Sequence, residues 1–148
     1  MPTKQVFLLA LAIALVGCGS DSTGPSDAPP AGFYTATSWV TVGMRGETNQ
    51  IAAGSILQLN LLPDHTTSGH LHFADDGSGQ PFDADMTGTW AVSGTTVTVS
   101  QPVETFVRGL QFTSTFDPVQ GWVLIGIDNN PGGGAIQITL RRAAVDPA

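Results

Sequence analysis

From Phe33 to Arg142 the chain is written in period two: short runs of β-branched, leucine and aromatic residues alternate with polar ones, and Gly, Pro, Asn or Asp bounds the runs. Successive side chains of an extended strand point to opposite faces, so this alternation calls for strands with one dry and one wet face. It does not fit the 3.6-residue stripe of an amphipathic helix. Eight runs can be marked, over residues 33–42, 54–62, 68–74, 84–92, 95–101, 109–116, 121–127 and 135–142. The connections are mostly short, which places consecutive strands side by side and antiparallel.

The dry face can be named residue by residue. It carries Leu57, Leu59 and Leu61, then Leu71 and Phe73, then Met86, Trp90 and Val92. Val97 and Val99 follow, then Leu110, Phe112 and Phe116, and finally Ile136, Ile138 and Leu140. Opposite them lie Thr96, Thr98, Gln111, Thr113, Gln137 and Thr139. An antiparallel meander of this kind closes most economically into an eight-stranded up-and-down barrel, which removes its free edges. The alternative is a two-sheet sandwich. The run over 121–127 breaks the rule, because Trp122 and Leu124 oppose Val123, Ile125 and Ile127, so its outer side needs a cover. A loop, a neighbouring copy or a protein partner could supply it, and the segment 41–53 is the expected one.

Residues 1–32 read differently. Lys4 precedes an unbroken apolar run of eleven residues, Val6 to Val16, followed by Gly17 and Cys18. Eleven is well short of the roughly 20 residues a membrane-spanning helix needs, and the pattern has the anatomy of an export signal. Cys18 is the only cysteine, so no internal disulfide can form. Residues 19–32 hold Ser, Gly, Pro, Asp and Ala with no bulky apolar side chain, as a flexible tether does. The expected organisation is a signal over 1–17, Cys18 and a tether over 18–32, one β-domain over 33–142, and a tail over 143–148.

Leu15-Val16-Gly17-Cys18, placed directly after the apolar run, resembles the bacterial lipoprotein signal. That resemblance implies cleavage before Cys18, acylation of its sulfur with palmitate-class chains, and anchoring to the cell envelope. A triacylated cysteine buries enough CH₂ groups, at about 0.8 kcal/mol each, to hold a protein on a membrane. Gly19 after the cysteine, by the same resemblance, implies the outer membrane. Losing Lys4 with the signal leaves Arg45, Arg108, Arg141 and Arg142 against twelve acidic residues, a net charge of −8. Phosphate-backbone binding therefore has no electrostatic support, and nucleic acid is not an expected partner.

The start GFYTATSW, the hairpin LNLLPDHTTSGHLHF and the run GTWAVSGTTVTVSQPVETFVRGLQF (88–112) resemble the small lipocalin-like domains carried by many bacterial lipoproteins. The resemblance implies a barrel and does not imply an assayed reaction. It departs at two turns: the expected Asp-Gly reads Asp64-His65, and an expected Asn is Thr95.

Candidate chemistry is sparse. His65, His70 and His72 are all the histidines of the chain, and they fall within eight positions. His70 and His72 share a strand face and could bind zinc with His65 or Asp75 as a third ligand, or simply face water while Leu71 and Phe73 face the core. The acidic loop 75–85 lacks the residue order and closing Glu of a calcium loop. Arg108 has the parity of Phe106, Leu110 and Phe112. A continuous strand would turn it inward toward Glu104, Trp90 or a bound anion, as the arginine–tryptophan plug of lipocalins does; a strand beginning only at Gly109 would leave it on the surface. There is no Gly-x-Ser-x-Gly elbow, no cysteine past residue 18 and no phosphate loop, since Gly132-Gly133-Gly134 precedes a strand. A non-catalytic protein without cofactor is expected. Two functions compete: a module holding a small apolar or amphipathic ligand against Leu59, Phe73, Trp90, Arg108, Phe112 and Ile138, or a filled barrel whose surface meets other envelope components.

Overall fold

The structure, a computed structural model, describes residues 31–43, 46–74, 80–102, 107–130 and 134–143. The stretches read as signal and tether up to residue 30, with Cys18, and also Asp75 and the first half of the acidic loop, Glu104, Phe106, Gly132, Gly133 and the residues after Ala143 lie outside the described residues.

The described residues form β-strands and turns with no helix. The strands are β1 (Gly32–Gly43), β2 (Gly46–Asn49), β3 (Ile56–Leu61), β4 (Thr66–Phe73), β5 (Phe82–Asp85), β6 (Gly88–Ser93), β7 (Thr96–Ser100), β8 (Gln111–Asp117), β9 (Gly121–Asn130) and β10 (Gly134–Arg142). Eight of them, β1, β3, β4, β6, β7, β8, β9 and β10, pair antiparallel in chain order, and β10 pairs back onto β1 to close the barrel. The barrel expectation holds and the open sandwich does not, because the sheet returns on itself without a break. Along β1–β10 the closure runs from Tyr34↔Arg142 to Val42↔Ala135, with a bulge between Ala36 and Ser38. The extra residue at Thr37 shifts the parity of β1, so Tyr34 and Ala36 before it and Trp39 after it all point into the barrel.

The two additional strands extend the wall at one rim. β3 takes the edge of β1 over Gly32–Thr35, and β2 takes the same edge over Val40–Gly43. In the same manner β6 pairs β4 only at Thr66 and Thr67, and β5 takes the edge over His70–Phe73. The run read as one strand over 84–92 is thus two strands, parted at Met86 and Thr87. There the Met86 N–H donates to the Gly69 carbonyl at 3.1 Å, and the Thr67 hydroxyl donates to the Met86 carbonyl at 2.8 Å. The segment expected to cover the outer side of β9 instead forms β2, three strands away from β9 in the sheet. Val123 is buried between its register neighbours Thr115 and Arg141, which share its face, while Ile127 stays exposed.

The dry face is otherwise where alternation puts it. Leu57, Leu59, Leu61, Leu71, Met86, Val97, Val99, Phe112, Leu124, Ile138 and Leu140 are all 1% exposed or less. Each such side chain contributes roughly 1.5–3 kcal/mol of burial. Phe116 is the exception at 47% exposed: it has inward parity, but β8 has already passed the rim, and Ser114 is the last buried residue of that strand. The Ser114 hydroxyl and N–H both donate to the Thr95 carbonyl, at 2.9 and 2.7 Å.

Candidate functional site

The interior of a closed eight-stranded barrel is the first place to look for a site, and here it is occupied by side chains. Leu59, Phe112 and Ile138, three of the six residues named for lining a ligand site, have 1% or less of their surface within reach of a water-sized sphere, whether from outside or from an internal void. Gly126 stands opposite Phe112 in register, and a Cβ there would come within 2.9 Å of the phenyl ring. The glycine lets the Phe112 ring lie across the lumen, filling the space a ligand would need.

Aromatic groups close both mouths. Trp90 sits at the rim where the chain comes in at Gly32 and leaves at Arg142, its Nε1–H donating to the Leu62 carbonyl at 2.9 Å. The His65 ring lies over it, 5.0 Å between centroids. Trp39 and Phe73 stack at 5.1 Å and 18° toward the opposite rim. Phe73, the fourth named lining residue, is therefore part of a lid. Arg108 is exposed on the Val107–Gly109 turn, where Gly109 takes φ 70° and the Gly109 N–H donates to the Val99 carbonyl. The strand begins only at Gln111, so the continuous strand that would have turned Arg108 inward does not form.

The three histidines are split between two places. His65 occupies the turn position where the resembling domains carry glycine, and it adopts the left-handed conformation of that glycine, φ 66°. Asp64 supports the turn: its carboxylate accepts the Thr66 hydroxyl at 2.6 Å and the Thr66 N–H at 3.0 Å, and these bonds hold its carboxyl below the usual range. His70 and His72 lie on the wet face of β4, opposite Asp85 and Asp83 of β5. Both imidazoles converge on one oxygen of Asp83, His72 Nδ1 at 2.8 Å and His70 Nε2 at 3.4 Å. The proposed trio with His65 is not assembled, and among the described residues no group of three or more metal-ligand side chains is arranged to hold an ion. Sequence alone places Asp83 within the acidic loop 75–85 and not beside the histidines, although a pairing signal is present. The His-x-His spacing of 70–72 is matched by the Asp-x-Asp spacing of 83–85 across a hairpin.

Buried polar groups supply a second feature that alternation does not announce. Gln50 donates from Nε2 to the Thr41 hydroxyl at 2.7 Å, the Ser55 hydroxyl donates to Gln50 Oε1 at 3.3 Å, and the Ala74 N–H donates to the Ser55 hydroxyl at 2.9 Å. This chain pins β1, the turn after β2, the approach to β3 and the end of β4 to one another. At the other rim burial pushes the Tyr34 phenol up to about 12, against the opposing pull of the Arg142 guanidinium.

Two surface clefts lie outside the barrel. One of about 230 Å³ is bordered by Arg108, Gly109, Leu110, Gln111, Ile127 and Asp128. The other, of about 400 Å³, lies at the rim of the chain ends among Phe116, Val119, Gln120, Trp122, Arg142 and Ala143. Compared with protein-family models and with curated proteins, the chain matches none.

Proposed function

We propose that this is an exported, non-catalytic lipoprotein in which an acylated Cys18 and a flexible tether display a lipocalin-like barrel at the cell envelope, the outer membrane by its Gly19. In this reading the barrel interior serves stability, and function resides on the outer surface, which meets other envelope components. The observation that carries it is the filled lumen. Leu59, Phe112, Ile138 and their neighbours leave no water-sized space beside them, and Gly126 is the size it must be for Phe112 to lie there. A carrier of an apolar molecule needs a cavity of roughly 300 Å³ or more, and the side chains named for lining one are spent on each other.

Two measurements test the reading. Labelled palmitate should be incorporated into the wild-type chain and lost in Cys18→Ser; label that survives the substitution would overturn the anchor. Native mass spectrometry of the Cys18→Ser protein should give the polypeptide mass alone, and a stoichiometric co-purifying apolar molecule would restore the carrier.

A further inference from the structure

Both rims show apolar side chains to solvent, Val42, Ile51, Ile56 and Ile127 on the far side, and what sets the chain-end rim apart is an aromatic cluster beside arginines. At the rim where the chain comes in and leaves, Val119 is 91% exposed and Phe116 47%. Phe33, also at this rim, is 40% exposed, and its carbonyl accepts the Ala143 N–H at 2.8 Å. Phe116 meets Trp122 edge to face at 5.6 Å, so the 400 Å³ cleft has an apolar wall on one side and Arg142 on the other. Charge, unlike apolar exposure, differs between the rims among the described residues. This rim carries Arg141 and Arg142 with Asp64 and Asp117, whereas the other rim and its loops carry Glu47, Asp83, Asp85 and Asp128 with Arg108 alone.

We propose that this rim is a membrane-contacting surface, in which Val119, Phe116 and Phe33 enter the lipid interface and Arg142 meets lipid phosphate. The inference rests on the lipid-anchor reading above. Its geometry follows from where the tether joins the barrel. Thirteen residues lie between Cys18 and Gly32, and β1 begins at Gly32 on the same rim as the apolar residues. A Gly/Ser-rich segment of that length has a root-mean-square span of about 20 Å. The rim is therefore the part of the barrel held nearest the acyl chains, at a high effective concentration of lipid. Exposed apolar side chains next to arginines suit an interface that is apolar below and anionic at its surface. The acidic rim, by the same division of charge, is directed away from the membrane.

The test places a nitroxide on Val119→Cys in the full acylated chain, reconstituted into phosphatidylethanolamine–phosphatidylglycerol vesicles, with Thr48→Cys on the opposite rim as the reference. Collision with dissolved oxygen should dominate at position 119, and collision with an aqueous nickel chelate at position 48. Adding Phe116→Ser should return position 119 toward water. An acylated chain whose position 119 stays as aqueous as position 48 overturns the contact and leaves the anchor standing. A chain without an acyl group on Cys18 overturns both. Dipolar broadening between nitroxides at 119 would mean that a second copy covers the patch, and would overturn the lipid assignment.

Discussion

The two mouths of the barrel are closed by different means. At the chain-end rim a tryptophan is fixed by a hydrogen bond to the Leu62 carbonyl and by the ring of His65, on turns of two to four residues supported by Asp64 and Asp117. At the far rim Trp39 and Phe73 close the lumen by stacking, and the wall is lengthened by β2 and β5 and tied by the Thr41–Gln50–Ser55–Ala74 hydrogen bonds. Both rims leave apolar side chains exposed, Val119, Phe116 and Phe33 at the first and Val42, Ile51, Ile56 and Ile127 at the second. The difference is one of support: hydrogen-bonded turns hold one lid, and added strands with a chain of buried polar side chains hold the other.

The largest test of this comparison is on the two lids. Trp39→Ala and Trp90→Ala should each cost about 3–5 kcal/mol in urea denaturation, because each empties the lumen from one side. A loss below about 1 kcal/mol at either would mean that its mouth is not closed by that ring. The next contrast concerns glycines. At Gly69, φ is 141° and an added Cβ would lie 2.1 Å from the Gln58 carbonyl oxygen; at Gly46 on the far rim φ is 109° and nothing lies within 4 Å. Gly69→Ala should therefore cost more than about 2 kcal/mol and Gly46→Ala about 1 kcal/mol, the strain of φ alone. Equal losses would dissolve the distinction.

Alternation sufficed to find the barrel and most of its lining: Leu57, Leu59 and Leu61, Val97 and Val99, and Ile138 and Leu140 face inward as their parity requires. It did not reveal how far each strand runs, because period two assigns a face and is silent on where the lumen ends. That is why Phe116 has inward parity and yet lies in water. The bulge at Thr37 and the break at Met86 are also invisible to it, since each depends on how the neighbouring strand pairs. The histidine cluster was readable as a turn and a wet face, but its partner Asp83 required the β4–β5 register. For Arg108 the parity rule failed because Gly109 turns the chain before the strand begins.

Smaller effects, both at the chain-end rim, are read by pH. Tyr34, the only tyrosine, has its phenol raised from 10.0 to about 12. Its contribution is fully present below pH 10 and is lost as pH rises toward 12, about 1–2 kcal/mol after screening at the rim. Tyr34→Phe should flatten that alkaline slope in denaturation series run from pH 9 to 12. An unchanged slope would place the phenol in water in the folded state. The Asp117 carboxylate accepts the N–H groups of Val119 at 2.7 Å and Gln120 at 2.9 Å, which lower its pKa. Its contribution is present above the ordinary aspartate range and is lost as pH falls through the depressed value. Asp117→Asn should reduce the acid dependence of stability slightly, by less than the Tyr34 substitution changes the alkaline limb. A larger change would mark this turn as more than a local support.

The filled lumen is tested most directly by a crystal structure of the protein under xenon pressure, because xenon enters dry apolar cavities that ordinary ligands do not report. The account predicts no xenon among Leu59, Phe112, Leu124 and Ile138. A well-occupied xenon site inside the barrel would contradict it and return the interior to ligand binding.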